Sequence, residues 1–168
     1  MGFPVAFEIL RPLDRFAAGR HASYRVDTEL VDHPRVARTF RGVRRMLMAE
    51  VGVGVLALSL AVFLLATGQN VPWVVWFRCS AVLAITLTLF YFLQRASEGY
   101  YWAYSRLRMF SWIFPIVTLI VGCIPNLYPL WIIVEQAVFA LILIGIGDLL
   151  SSKHMRLAFP KPERRSRD

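Results

Sequence analysis

Apolar residues gather into four long runs, at about 47–67, 72–93, 109–124 and 129–150, parted by shorter stretches of polar or turn-forming residues. At ~1.5 Å rise per residue, a helix of ~20 residues spans the ~30 Å hydrocarbon core of a bilayer. The pattern therefore predicts an all-α, polytopic membrane protein with four transmembrane helices. The connections at 68–71 and 125–128 are short and uncharged, so the first and second spans, and the third and fourth, are expected to form two antiparallel hairpins of one four-helix bundle. The third span is the shortest and contains Pro115, which removes a backbone hydrogen bond and kinks a membrane helix; curved packing is the favoured reading of that kink.

Upstream of the first run the pattern changes period. Asp32-His33-Pro34 has the form of a helix start, with a capping acid and a proline in the first turn. Beyond it, Val36, Phe40, Val43 and Leu47 fall on one helical face while arginines fill the other, a basic amphipathic helix leading into the first span. Gly42 is a place where it could bend. Phe3 to Phe16 alternates apolar and polar residues around Pro4 and Pro12, which suits a short segment lying on a membrane surface. The chain thus divides into a basic N-terminal segment (1–45), a transmembrane domain (46–150) and a basic tail (151–168).

Charge sets the orientation. Of nineteen Lys+Arg, nine precede Met46 and six follow Ser152, and the middle connection, 94–108, adds Arg95, Arg106 and Arg108 against Glu98. Under the positive-inside rule, both termini and the middle connection lie in the cytoplasm and the two neutral turns face outward. Trp73, Trp76 and Trp131 then fall near the outer boundary, with Trp102 and Trp112 near the inner one, as aromatic belts do. The run Gly99-Tyr-Tyr-Trp-Ala-Tyr104 reads as an interfacial platform on the cytoplasmic side. The net charge of +8 comes from arginines flanking apolar spans without a nucleic-acid motif, so the expected partners are anionic lipid headgroups and not nucleic acid. Arg38, Arg41, Arg44 and Arg45 are the candidate headgroup contacts. The preference for Arg over Lys, which occurs only at 153 and 161, is a composition of GC-rich bacteria and points to a bacterial inner membrane.

Two charges fall inside the spans. Arg78 lies six residues past Pro72, and Glu135 six past Pro129; each proline opens a span from the outer side. Both side chains therefore begin ~9 Å below the outer boundary, a shared depth that predicts an ion pair between the second and fourth spans. Alone, each charge would cost at least ~2.5 kcal/mol near the bilayer centre. An interhelical clamp is the favoured reading. The others are an ion, proton or anionic-substrate site, and an Arg78 that reaches outward to lipid phosphate. Gln136 offers a further interhelical hydrogen bond. Glu50 and Asp148, near the cytoplasmic ends, are expected to make boundary salt bridges with Arg44, Arg45 or Lys153. Gly54, Ala57 and Ala61 form a candidate packing stripe on the first span, and Ser80 and Ala84 a smaller one on the second; either could serve internal packing or an external partner.

Absent patterns narrow the chemistry. His21, His33 and His154 all lie outside the spans, which disfavours a two-histidine haem bundle. There is no Glu-x-x-His pair for a di-iron site, no Cys-x-x-Cys, no Gly-x-Ser-x-Gly and no phosphate-binding loop. Asp27, Glu29, Asp32 and His33 match no metal-ligand spacing and read as a solvated loop. No cofactor, metal or catalytic residue is expected. The sequence supports a non-catalytic membrane subunit or scaffold packing on a larger membrane protein or on itself. The alternative is a small transporter or permeation unit using Arg78 and Glu135, and an enzyme acting on lipid-linked substrates stands third.

Overall fold

Pro34 stands in the first turn of the longest helix, and the exposed His33 caps it, its Nδ1 accepting from the Arg35 backbone N–H at 3.3 Å. The capping position thus belongs to His33. The computed structural model describes residues 24–31, 33–124 and 128–161. Its elements are all helices: α1 (Thr28–Val31), α2 (Pro34–Ala66), α3 (Trp73–Ser97), α4 (Tyr101–Gly122), α5 (Leu130–Ser151) and α6 (Lys153–Ala158). The surface segment expected at 3–16, Asp32, the turn at 125–127 and the tail past 161 lie outside the described residues. α2, α3, α4 and α5 are each long and apolar enough to cross a membrane.

α2 runs unbroken for 33 residues, through Gly42 and from the arginine-rich segment into the first apolar run. Its buried face is Val36, Phe40, Val43, Leu47, Glu50, Gly54, Ala57 and Ala61. Those positions alternate in steps of four and three, the 3.5-residue repeat that seats one helix against its neighbours as knobs in holes. Arg38, Arg41, Arg44 and Arg45 lie on the exposed side.

α4 begins at Tyr101, eight residues before the apolar run that announced it, so the connection from α3 shrinks to Glu98, Gly99 and Tyr100. The reason is packing. Trp102 and Tyr104 were expected at an interface but are buried. Tyr104 stacks on Phe159 at 4.4 Å between ring centroids, and Trp102 meets Phe92 edge-on at 6.0 Å. A core of aromatics holds the first turns of α4 helical although Arg106 and Arg108 interrupt the apolar pattern there. Gly99, at φ 88°, makes the turn, and its carbonyl accepts from the Val26 N–H at 2.9 Å. Arg25 adds a hydrogen bond to the Tyr100 hydroxyl and lies 4.4 Å over the same ring, which ties the segment before α1 to this turn.

Each long helix packs on the next in the chain, α2 on α3, α3 on α4 and α4 on α5, and α5 closes on α2. The four therefore form a ring whose diagonal pairs scarcely touch. At one end α6 folds back on α2: Thr39 Oγ1 and His154 Nε2 are 2.9 Å apart. Beside it the buried Tyr104 hydroxyl donates to the Leu150 carbonyl at 2.7 Å. Tyr104→Phe is expected to lower stability by about 1 kcal/mol, the usual net worth of a buried hydrogen bond, as read from reversible unfolding in mixed micelles.

Candidate functional site

α3 and α5 share a local design. Pro72 and Pro129 are their N-caps, and six residues on, two turns inside, stand Arg78 and Glu135. Equal distances from equal starts put the two side chains at one height. Arg78 Nη1 donates to Glu135 Oε2, with the side chains 8% and 9% exposed. α3 and α5 are a diagonal pair of the ring. The ion pair therefore runs through the interior as a brace between helices that otherwise hardly meet. Neither charge reaches outward: the Arg78 side chain is turned inward and not toward a lipid boundary.

On the side toward the α2–α3 turn, the Tyr128 ring centroid lies 5.7 Å from the Arg78 guanidinium carbon. Tyr128 also lines a cavity of about 550 Å³, together with Leu64, Asn70, Pro72, Val75 and Trp131. The cavity thus ends on an aromatic ring whose other neighbour is the buried cation.

Gln136 points to a different partner. Its Nε2 donates to the Thr118 carbonyl on α4, in the space left by Gly122, whose Cβ would stand 3.0 Å from that nitrogen. The bond links α5 to α4 one turn past Pro115, which is buried and through which α4 remains continuous.

The unexpected member of the site is Glu50. The sequence reading placed it at a boundary, in a salt bridge with Arg44 or Arg45. It is instead 1% exposed, those arginines are exposed, and both carboxyl oxygens are buried without a hydrogen-bond partner. Glu50 occupies a central position in the 3.5-residue repeat of α2, so helix geometry aims it into the ring. The signal was present in the sequence: Val36, Phe40, Val43 and Leu47 make one stripe and Gly54, Ala57 and Ala61 another, and the residue that joins them in register is Glu50.

The other candidates separate cleanly. Gly54, Ala57 and Ala61 are all buried, and a Cβ on Gly54 would stand 3.0 Å from Leu83 Cδ2, so this stripe serves α2–α3 packing. Ser80 and Ala84 are exposed. Asp148 is exposed, and no ion pair joins it to a described residue. Asp27 and Glu29 are likewise exposed, and among the described residues no group of three His, Cys, Asp or Glu side chains is placed to hold a metal ion.

Four helices able to cross a bilayer, closed around a buried ion pair, put the chain in the class of all-helical, multi-pass membrane proteins. No family model matches it, and no characterised protein or solved structure shows significant similarity to it.

Proposed function

We propose that the chain is a non-catalytic integral subunit or scaffold of a bacterial inner membrane, acting by packing against a larger membrane protein or a second copy of itself. In this reading α2 with α3 and α4 with α5 are two antiparallel hairpins. Both basic ends and the α3–α4 turn face the cytoplasm, and Arg38, Arg41, Arg44 and Arg45 meet anionic headgroups. The observation that carries the proposal is the coverage of α4. In its most apolar 18-residue window 17% is buried within the chain, against 44% for α5. Met109, Trp112, Ile113, Ile116 and Ile120 make its uncovered side. A helix that contains a proline and leaves this much of its apolar surface uncovered gains most from a close-packed neighbour, since van der Waals packing, and not apolar burial, drives helix association in lipid. Cross-linking in the native membrane followed by mild-detergent purification is expected to yield a species larger than the 19.2 kDa chain. A lone monomer would sink the proposal.

A second reading, a permeation unit built on Arg78 and Glu135, is favoured by the cavity that ends on Tyr128. Its test is ion flux into liposomes. Glu135→Gln is expected to change the flux, as removal of a charge from a conduction path does; identical flux would eliminate Glu135 as a pathway residue.

A further inference from the structure

We propose that Glu50 is the seat of one exchangeable proton, held inside the same bundle as the Arg78–Glu135 pair. Among the described residues, the buried charged side chains are Arg78, Glu135 and Glu50, so two carboxyl groups share one cation. Arg78 donates to Glu135 through Nη1, while its Nη2 is buried without a hydrogen-bond partner. Glu50 is left with two buried oxygens and no donor. A charged carboxylate in that position would be shut away from bulk solvent and without a donor side chain, an arrangement costly enough that such a group is neutralised instead. One positive charge is missing, and the smallest carrier of it is a proton.

The surroundings supply no substitute. On α5 the titratable groups are Glu135, which repels a second negative charge, and the exposed Asp148. α3 contributes Arg78, engaged with Glu135, and beside it Cys79; Tyr91, Arg95 and Glu98 lie toward its opposite end. α6 brings His154, which pairs with Thr39, eleven residues before Glu50 on α2. α1 offers only the exposed Glu29, and the arginines of α2 itself point outward. α4 lies across the ring from α2 and does not pack on it. A bundle that buries a fixed ion pair and an unmatched acid has the composition of a proton-holding membrane interior, where ionisable groups mark proton relays or structural pairs.

The site is independent of the partner proposed above, so its test is spectroscopic. Infrared spectra of the full chain in nanodiscs at neutral pH are expected to show a protonated-carboxyl carbonyl band that shifts in D2O. Glu50→Gln should remove the band. Spectra that superimpose for the wild type and Glu50→Gln would overturn the assignment. So would a band lost in Glu135→Gln and kept in Glu50→Gln. Loss of the band on adding sodium ions at constant pH would mean that the missing charge is a metal cation, and would overturn the proton. Should Glu50→Gln fail to fold, Glu50→Asp keeps the acid in a displaced position; a displaced band supports the proposal and an unmoved one overturns it.

Discussion

Replacing Arg78 with leucine is expected to destabilise the folded protein by about 3–5 kcal/mol, the usual consequence of removing one partner from a buried ion pair. Most of that loss is not the lost attraction. It is the cost of leaving Glu135, 9% exposed, as a second unmatched acid inside the bundle. Two further variants separate these contributions. Glu135→Leu alone strands Arg78, which keeps only the Tyr128 ring at 5.7 Å, and is expected to be similarly damaging. The double replacement Arg78→Met with Glu135→Leu removes both charges and both desolvation costs. Pairs replaced in this way are often neutral or more stable by 1–4 kcal/mol, so most of the lost stability should return. Reversible unfolding of all three in mixed micelles measures the outcome. Because the brace is diagonal, the single variants should also loosen α3 against α5, seen as faster hydrogen exchange in both helices. Additive losses in the double variant would show that the two residues do not act as a pair.

The second large effect is expected at Gly147. A Cβ there would stand 3.0 Å from Trp112 Nε1 and 3.1 Å from Cε2. An indole is rigid, and this one is held by a hydrogen bond from Nε1 to Ser151 Oγ at 3.4 Å. Gly147→Val must therefore push α5 away from α4 or turn the ring out of place. Overpacking of this kind typically costs about 1–3 kcal/mol, and valine should reach the upper end. Gly52 is the internal control, with nothing within 4 Å of its Cβ position. Gly52→Ala should be neutral or stabilising by up to about 1 kcal/mol, the helix-propensity difference between the two residues. Equal effects at the two glycines would show that propensity, and not contact, is being measured.

The four apolar helices were legible because length and composition alone identify a membrane-crossing segment, whatever packs on it. The meeting of Arg78 and Glu135 was legible for a related reason: a proline marks the start of each helix, and the count from a known start gives height. What could not be read was direction. The sequence gives the depth of the pair but not that α3 and α5 stand opposite each other, because ring order is decided by contacts among all four helices. The start of α4 was hidden because its first turns are held by aromatic stacking with Phe92 and Phe159, residues distant in the chain, while Arg106 and Arg108 made the stretch look like a loop. Glu50 was misplaced by a habit of reading charge as boundary. Its phase within the repeat of α2 was the stronger signal, and an acid in register with Leu47 and Gly54 belongs inside whatever its charge suggests.

The length of α2 has a mechanical consequence. At ~1.5 Å per residue its 33 residues make a rod of about 50 Å, while the hydrocarbon layer takes up about 30 Å. Roughly 20 Å of the same unbroken rod must therefore stand clear of the lipid tails. That length is not bare: Thr39 meets His154 at 2.9 Å and Phe40 meets Phe159 edge-on at 6.1 Å. Because no joint lies between the two lengths, a tilt of the arginine-bearing end would carry the embedded end, and Glu50 with it, and would strain the packing of α6.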